Sequence, residues 1–439
     1  MKSKKIIYLE KILRFMAQVV IKKYKPKIIG ITGSVGKTSA KEAVSLVLSD
    51  KFNIRSGQKN YNNEIGIPLT IIGAKSGEGS ILGWIRVFFK WMLVVIFPVR
   101  YPEIVVLELG IDRPGDMDYL LGFIPVNVAI LTDISGSHLE YFGNINRIAK
   151  EKYKIVEAVA KEGVAIINID NEKIKEQLEK HKKDNEINGM TFGFDEDAMV
   201  RATDTHFNYR NNEVSGISFK LNYEGKIIPI RLDNVIAKHH LYAVLAGISS
   251  GIYFKVNPIE IANSLKDYFP PQGRMTLIEG VNGSMVIDDT YNASKVSTLA
   301  ALNILSEIEA RRKLIALGDM LELGPTSHSD HIEVARRALE VGDKIFVAGK
   351  RMEEAISEMI KTDNISKDDQ KKMQILSNPV AVAQSVKNVI EPGDIILVKG
   401  SQSMRMEKVV EEVIARTVDV EKKLCRQSRE WKNKPFIQP

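Results

Sequence analysis

The residues best suited to do chemistry lie in a glycine-bounded turn near the start of the chain. In KIIGITGSVGKTSAKEAVSLVL, residues 27–48, an apolar run meets Gly33 and Gly36, and Lys37 and Thr38 follow directly. Glycines let a loop turn its backbone N–H groups inward, a lysine neutralises phosphate oxygens, and a hydroxyl can hold magnesium. The following helix would add the positive end of its dipole. The predicted nucleotide-phosphate site consists of Gly33, Ser34, Val35, Gly36, Lys37, Thr38 and Ser39.

The match is to the short form of this loop, GxxGKT. Ile31 stands where the longer form, GxxxxGK[ST], has its first glycine. A short glycine motif occurs often by chance, so a structural turn is the alternative interpretation. The strand pattern before the motif and the helix pattern after it favour nucleotide binding.

Two further polar residues follow apolar runs that are typical of buried strands. Glu108 follows IVVL, and His138 follows NVAILTDI by a few residues. In a doubly wound α/β sheet the carboxyl ends of the strands lie together beside the phosphate loop. Each residue alone could be a surface or capping residue. Together with the loop they predict one site.

The composition is typical of a soluble globular protein with small anionic ligands. The 439 residues are 44% hydrophobic and 27% charged, with a formal net charge of +7. This length allows two or three domains. The mild, dispersed positive charge argues against nucleic acid as a partner. The single cysteine, Cys425, excludes an internal disulfide framework and predicts a cytoplasmic location.

Two apolar segments, 6–22 and 81–98, are too interrupted by charge to span a membrane. The first is interrupted by Glu10, Lys11 and Arg14 and lacks the uninterrupted core of a signal peptide. The second contains Arg86 and Lys90, and so falls short of the ~20 apolar residues that a span needs. Packing on the protein core is one interpretation. Peripheral contact with the inner face of the membrane is the other.

Apolar runs alternate with helical periods along most of the chain. This alternation predicts an α/β fold with largely parallel sheets covered by helices on both faces. Residues 198–236 carry short β-like pieces without helical periods, which predict a small antiparallel insert. The breaker FPPQGR at 269–274 indicates a domain boundary. The predicted strands are KIIGIT, IVVLELG, NVAILTDI, GVAIINID, SMVIDDT, KLIALGD, KIFVAG and DIILVKG.

Eight motifs occur in the order in which the Mur ligase family carries them. They are GITGSVGKTSAKE, NYNNEIGIPLT, LELGIDRPGDMDYL, SHLEYFGNINRIAKEK, GRM, IDDTYNAS, ALGDMLELG and LVKGSQSMRME. The chain therefore resembles this family from about residue 27 to about residue 415. The resemblance implies a central P-loop ATPase domain at 27–270 and a C-terminal Rossmann-like α/β domain at 271–420. The residues outside them predict an N-terminal amphipathic helix at 1–26 and a basic, loosely ordered tail at 421–439.

The resemblance implies ATP-dependent amide bond formation through an acyl-phosphate. In that chemistry a substrate carboxylate attacks the γ-phosphate, ADP leaves, and an amine attacks the activated carbonyl. Lys37 and metal ions would neutralise the charge between an anionic nucleophile and a polyanion. The implied reaction adds an amino acid or a dipeptide of the D-alanyl-D-alanine type to a carboxylate like that of a peptidoglycan precursor.

Two magnesium sites are implied as well. Thr38 and Glu108 match ligands of one ion, and His138 matches a ligand of the second. Lys152, in IAKEK, matches a lysine that family members carry as a carbamate, which is an oxygen ligand. An exposed helix lysine is the alternative, because the two residues after it differ from the family's Gly-Glu. The implied catalytic residues are Lys37, Glu108, His138 and Lys152.

Further site positions are implied in both halves of the chain. Arg274 resembles an arginine that contacts the ATP phosphates, and Asp289 begins the family's DxYNA element. Ordinary surface or turn chemistry is the competing interpretation for each. Outside the loop, the implied nucleotide contacts are His239, Arg274 and Asp289, and the implied substrate contacts are Asn62, Asn63, Tyr291, Asn292 and Lys399.

Two departures from the family leave the substrates open. The adenine-binding run GxHNxxN is AKHHLYAV here, so His240 and Ala243 replace two asparagines. Residues 1–26 are too few for the domain that holds the uridine nucleotide in the family. The expected acceptor is a small-molecule or lipid-linked peptide that is held differently, or with the help of a partner protein.

Three functions follow from these patterns. The favoured one is a ligase of the Mur family, expected to be a monomer. The second is a sister ligase, such as a polyglutamylating enzyme. The third is a nucleotide-binding scaffold that has lost turnover. Release of ADP on addition of candidate acids and amines separates the three.

Overall fold

The protein folds into two compact α/β units. The computed structural model describes residues 4–58, 61–136, 139–181, 188–363 and 365–434. The first unit contains the described residues up to Thr205, together with Phe219–Arg231 and Lys238–Tyr268. The second contains His206–Ser218, Leu232–Ala237 and the described residues from Phe269 onward. Both sheets are mostly parallel, so the predicted α/β fold class is confirmed.

The larger sheet has nine strands in the order β2-β3-β1-β4-β5-β6-β7-β8-β9. Its strands are β1 Lys27–Thr32, β2 Ile54–Ser56, β3 Ile104–Glu108, β4 Val128–Leu131, β5 Val164–Asn168, β6 Gly189–Gly193, β7 Val200–Arg210, β8 Glu213–Tyr223 and β9 Lys226–Asp233. The pairs from β2 through to β7 are parallel. Strands β3, β4 and β5 are buried along their whole length, because helices cover both faces, and they therefore appear in the sequence as continuous apolar runs.

The predicted antiparallel pieces are strands β8 and β9. Two-residue turns connect β7 to β8 and β8 to β9, and their residues have positive φ: Asn211 (52°), Asn212 (64°), Glu224 (48°) and Gly225 (72°). This backbone is that of a type I′ turn, whose twist matches that of a β-hairpin. The strands extend the larger sheet instead of forming a separate one.

Ten helices described between residues 4 and 268 accompany this sheet. They are α1 Lys4–Tyr24, α2 Lys37–Ser49, α3 Gly66–Ile72, α4 Ile81–Ile96, α5 Asp116–Leu121, α6 Leu139–Phe142, α7 Ile145–Glu157, α8 Glu172–His181, α9 Lys238–Tyr253 and α10 Pro258–Ser264. The two apolar segments of the sequence form α1 and α4. Over the described part of the chain, no helix has both the length and the apolar character that a membrane crossing requires.

The second unit is built around a six-stranded sheet in the order β10-β11-β15-β12-β13-β14. Its strands are β10 Thr276–Glu279, β11 Met285–Asp289, β12 Arg312–Gly318, β13 Lys344–Ala348, β14 Met373–Leu376 and β15 Asp394–Lys399. Only the β10–β11 pair is antiparallel among its described pairs. Its helices are α11 Lys295–Glu307, α12 Ser327–Val341, α13 Lys350–Thr362, α14 Lys367–Lys372, α15 Pro379–Lys387, α16 Glu407–Val413, α17 Val420–Lys423 and α18 Arg429–Lys432.

The C-terminal segment packs on the second unit as far as residue 434. Leu424 is 1% and Cys425 6% exposed. Arg426 donates from Nη1 to the Thr290 carbonyl at 3.0 Å, and Arg405 donates to the Lys434 carbonyl at 2.6 Å. The expectation of a loosely ordered tail is therefore wrong for these residues. Buried apolar side chains and paired guanidinium groups hold a segment that is polar in overall composition.

Candidate active site

The glycine-bounded turn connects β1 to α2, as the sequence predicts. Gly36 precedes α2 with a left-handed φ of 85°, a conformation that glycine adopts without a steric penalty. A side chain at Gly33 would overlap the Thr132 hydroxyl. Lys37 Nζ donates to the carbonyl oxygens of Gly33 at 2.7 Å and Ser34 at 3.3 Å. The loop thus places an ammonium group over its own backbone at the start of a helix.

A segment after β4 holds this loop in shape. The Ser34 amide donates to the Asp133 carbonyl at 2.8 Å, and Ser34 Oγ donates to the Ser135 carbonyl at 3.0 Å. Thr132 Oγ1 donates to the Val35 carbonyl at 2.6 Å, while the Val35 side chain itself is exposed. Thr132, Asp133 and Ser135 were not among the site residues predicted from the sequence. Their place directly after an apolar strand was the available signal.

Glu108 lies beside the phosphate loop because of strand register. Its position at the end of β3 pairs with Ile31 of β1, one residue before that strand ends. Thr38 Oγ1 donates to Glu108 Oε2 at 3.0 Å, and Glu108 is 8% exposed. A hydroxyl and a carboxylate are among the oxygen donors that Mg²⁺ prefers. Ser39, next in the loop, is buried in the first turn of α2.

Lys152 lies in α7 and reaches the same loop. Its side chain is almost fully buried, with 2% exposed, and Nζ donates to the Gly33 carbonyl at 3.1 Å. Burial and, secondly, the positive charge of Lys37 lower the pKa of Lys152 to about 7, against the opposing effect of Asp112 and Asp133. The alternative of an exposed helix lysine is wrong.

The remaining predicted residues of the first unit are placed differently from one another. Asn62 lies against Gly110, whose amide donates to the Asn62 carbonyl at 2.8 Å, two residues beyond Glu108. Asn63 lies just before α3, and its Oδ1 accepts from the amide of Gly66, the first residue of that helix, at 2.9 Å. His239 is exposed in the first turn of α9, with its ring 4.3 Å from that of His240. His138 lies outside the described residues.

In the second unit, Lys399 and Asp289 form a buried ion pair. The β11–β15 register makes these two residues direct partners, and Lys399 Nζ lies 2.6 Å from Asp289 Oδ2. Lys399 Nζ also donates to the Asn292 carbonyl at 2.9 Å. Arg274 places its guanidinium carbon 4.2 Å from the centre of the Tyr291 ring. The five residues that the resemblance implied for this half of the chain therefore lie together.

A buried carboxyl group beside this cluster was missed. Asp288 is fully buried, and its Oδ1 accepts from the Thr290 hydroxyl at 2.6 Å. Burial raises the pKa of Asp288 to about 6. Arg426, in the tail, donates to the carbonyl oxygens of Thr290 and Tyr291. The tail thus holds the loop that carries Tyr291, and no local pattern in the sequence indicates this contact.

Within the described ranges, no three side chains from His, Cys, Asp and Glu converge as a metal site. The donor set at the loop is instead a threonine hydroxyl and one carboxylate, Thr38 and Glu108. These two residues fit a hydrated magnesium ion bound with phosphate oxygens, because Mg²⁺ keeps several waters and takes few protein ligands.

Comparison with known proteins identifies two family domains in this chain. The Mur ligase middle domain matches residues 94–251, and the glutamate ligase domain of the Mur ligases matches residues 273–402. The first match contains Glu108 and Lys152, and the second contains the Lys399–Asp289 pair.

Individual relatives cover most of the chain. The UDP-N-acetylmuramoyl-tripeptide–D-alanyl-D-alanine ligase of Bacillus subtilis is 28% identical over 413 residues, which are 92% of this chain and 79% of the relative. A MurF ligase from Thermotoga maritima, solved in complex with ADP, superimposes with a TM-score of 0.70 at 24% identity and covers 92% of this chain and 83% of its own. A MurF structure from Acinetobacter baumannii gives a TM-score of 0.73 at 24% identity, covering 92% and 80%. With both family domains present in order, this chain belongs to the Mur ligase family.

Proposed function

We propose that this protein is an ATP-dependent ligase that joins D-alanyl-D-alanine, or a similar amine, to the carboxylate of a UDP-N-acetylmuramoyl-tripeptide or a closely related acceptor. The observation that carries the proposal is the cluster at the phosphate loop. Lys37 and Lys152 both donate to the Gly33 carbonyl, and the Thr38 hydroxyl donates to Glu108. A cation, a hydroxyl and a carboxylate thus lie within one loop and its neighbours.

This cluster suits the first half of an acyl-phosphate reaction. An oxygen of the acceptor carboxylate forms a bond to the γ-phosphorus of ATP, and the bond from that phosphorus to the β,γ-bridging oxygen breaks, releasing ADP. Both reactants are anions, so the ammonium group of Lys37 lowers the cost of their approach. The backbone N–H groups at the start of α2 would bind the same phosphates.

The second half needs an amine held close to the acyl-phosphate. Its nitrogen attacks the carbonyl carbon, a tetrahedral intermediate forms, and phosphate leaves while the nitrogen loses a proton. We assign the binding of this substrate to Asp289, Tyr291 and Asn292, with Arg274 on the phosphates. Lys399 positions this group, because it is buried and holds both Asp289 and the Asn292 backbone.

Magnesium and a modified lysine are finer parts of the proposal. Thr38 and Glu108 would hold one ion, which supplies charge neutralisation at the β- and γ-phosphates. His138 and Lys152 would hold a second. Lys152 suits this role only as a carbamate, and its pKa of about 7 leaves much of the amine in the neutral form that reacts with CO₂. Mass spectrometry of the intact protein in bicarbonate, compared with Lys152→Met, tests the modification.

ADP release is the experiment that tests the function. The wild type receives ATP, magnesium, UDP-N-acetylmuramoyl-tripeptide and D-alanyl-D-alanine, and a second arm uses the peptide without its UDP-sugar. ADP release should require both acid and amine, and should yield one amide per ADP. Lys37→Met and Glu108→Gln should abolish it. Lys150→Met, an exposed position on the same helix as Lys152, is the matched control and should keep full activity.

The alternatives predict different outcomes in this assay. Turnover only with glutamate and a polyglutamylated acceptor would replace the proposed substrates with those of a sister ligase. ATP binding without turnover on any acid and amine pair would indicate a nucleotide-binding scaffold and contradict the ligase. ADP release that is indifferent to the amine would contradict amide formation.

We further propose that the enzyme works in the cytoplasm as a monomer. The single cysteine, Cys425, is buried, as suits a reducing compartment. Light scattering on the purified chain tests the monomer, and a mass of two chains or more at micromolar concentration would contradict it.

A further inference from the structure

Helices α1 and α4 pack side by side in the first unit. Trp91 Nε1 donates to the Met16 carbonyl at 3.0 Å, and the Tyr24 hydroxyl donates to the Val94 carbonyl at 2.7 Å. Lys23 Nζ donates to three carbonyl oxygens at the end of α4, with distances between 2.9 and 3.1 Å. Trp91 contacts Met16 and Val94 contacts Tyr24, so residue numbers rise in the same direction along both helices, and the helices are parallel. The end of α1 thus caps α4, and the two helices form one layer.

The outer side of this layer is apolar. In α4 only Val87 and Val94 are buried among 16 residues. Seven large apolar side chains of that helix are between 43% and 80% exposed: Ile81, Leu82, Ile85, Phe88, Phe89, Leu93 and Ile96. In α1 the exposed residues Tyr8, Ile12 and Phe15 follow the i, i+4, i+7 spacing of one helix face. Soluble proteins rarely expose apolar side chains in such a cluster without a partner for it.

The charges beside these apolar faces have one sign. Lys4, Lys5, Lys11 and Lys22 are exposed on α1, and Arg86 and Lys90 are exposed on α4. The one acidic residue of α1, Glu10, is buried at 8% exposure, and α4 contains none. Within the sequence of the two helices, every exposed charge is therefore positive. A partner must supply an apolar layer and negative charge together.

We propose that α1 and α4 form a peripheral docking surface for an anionic lipid bilayer. Lipid supplies both features, since acyl chains accept the apolar side chains and anionic headgroups meet the basic ones. Neither helix has the character of a span. Helix α4 has 16 residues, fewer than the ~20 that a span requires, and the 21 residues of α1 are interrupted by charged side chains. Both lie in the interface, with the apolar faces buried ~5–10 Å deep. A second copy of the chain fits less well, because its basic residues would face these and repel them.

The consequence for the enzyme is its placement. Helix α1 ends at Tyr24, and β1, which leads directly into the phosphate loop, begins at Lys27. Docking of α1 therefore anchors the first unit itself, without a flexible tether between the lipid surface and that unit. This inference concerns a surface outside the loop cluster, and it stands or fails independently of the proposed reaction.

Vesicle flotation tests the proposal. The full-length protein is floated with vesicles of phosphatidylcholine containing phosphatidylglycerol, and with vesicles of phosphatidylcholine alone. The wild type should float with the anionic vesicles and bind the neutral ones at least tenfold more weakly. Arg86→Glu with Lys90→Glu should weaken binding to anionic vesicles roughly 30-fold or more, at about fivefold for each basic side chain lost.

A matched pair of variants separates the apolar contribution from a general effect of charge. Phe88→Glu with Phe89→Glu adds two negative charges on the proposed surface and should reduce binding at least tenfold. Ile259→Glu with Val380→Glu adds the same two charges at positions that are 68% and 55% exposed elsewhere, and should bind like the wild type. All four positions are exposed, so each variant should keep the wild-type circular dichroism spectrum.

Three results would overturn the proposal. The first is a wild type that anionic vesicles fail to retain at low salt. The second is an equal loss of binding in both variant pairs, which would show only a charge effect. The third is self-association that Phe88→Glu with Phe89→Glu abolishes, without vesicle binding, which would assign the surface to a second copy. Sedimentation of the lipid-free protein detects the last outcome.

Discussion

The lowered pKa of Lys152 predicts that the free energy of unfolding depends on pH. In the unfolded chain this amine titrates near its ordinary value of 10.5, whereas in the folded protein its pKa is about 7. Between these values the unfolded state binds more protons than the folded state. The free energy of unfolding must therefore rise with pH across this window. A shift of one pKa unit corresponds to about 1.4 kcal/mol, so this one group should add roughly 3–4 kcal/mol between pH 7 and pH 10.

The perturbation is Lys152→Met, which keeps the length of the buried side chain and removes the titrating group. Urea unfolding is followed by tryptophan fluorescence at several pH values from 7 to 10, without metal and in CO₂-free buffer. Titrating groups far from Lys152 contribute equally to both proteins, so the difference between the two curves reports on Lys152 and its charged neighbours. Lys150→Met, on the exposed side of α7, should follow the wild type throughout.

Parallel curves for the wild type and Lys152→Met would refute this reasoning, because they would mean that Lys152 ionises as it does in water. A wild type that loses stability relative to Lys152→Met as the pH rises would contradict the sign, since it would require the folded state to hold the extra proton. Bicarbonate provides an internal check: if carbamylation draws on the neutral amine, added bicarbonate should stabilise the wild type at pH 8 and leave Lys152→Met unchanged.

Three other substitutions have expected outcomes that the contacts define. Gly33→Ala should lower ATP affinity and cost roughly 1–3 kcal/mol of stability, because the new methyl group would overlap the Thr132 hydroxyl. Equilibrium dialysis measures the affinity and thermal melting the stability, and a wild-type melting temperature would contradict the overlap. Asp288→Asn should raise the free energy of unfolding at pH 8 by up to about 3 kcal/mol and change it little at pH 4. Burial raises the pKa of Asp288 to about 6, so its ionisation costs stability as the pH rises. Urea titrations at the two pH values test this, and equal effects at both would contradict it. Arg426→Ala should speed the reaction of Cys425 with a thiol reagent at least tenfold, since the packing of the tail on the second unit buries that thiol. An unchanged labelling rate would show that the tail stays in place without this guanidinium group.

The sequence predicted well those features whose contacts are local. The phosphate loop depends on glycines, a lysine and a hydroxyl within a few residues, and a strand and a helix flank it in the structure. The eight strands with continuous apolar runs also form as predicted. Four short strands of three to five residues were missed: β2, β6, β10 and β14. Strands β2 and β14 have no fully buried residue, so no apolar run marks them. Strands β2 and β14 form because each pairs with a longer neighbour at one edge of its sheet.

Contacts between distant segments could not be predicted from local patterns. Ser135 lies 101 residues from Ser34, and Arg426 lies 136 residues from Thr290. Neither pair has a spacing or composition that distinguishes it from ordinary loop and tail residues. The burial of Lys152 is similar, because it results from the packing of α7 against the end of β1. Only the resemblance to a family indicated that this lysine has a role.

Strand register brings together site residues that are far apart in the sequence. The resemblance located these residues, whereas the periodicity of apolar residues could not. Parallel strands place residues of equal depth side by side, so a functional residue at the end of one strand lies next to the end of its neighbour. Glu108 therefore lies beside Ile31, and Lys399 beside Asp289, although 77 and 110 residues separate them in the chain. The same packing determines the charges at the loop. Lys37 and Lys152 both donate to the Gly33 carbonyl, and burial together with the charge of Lys37 lowers the pKa of Lys152 to about 7. Above pH 7, Lys152 is therefore increasingly a neutral amine buried beside the loop.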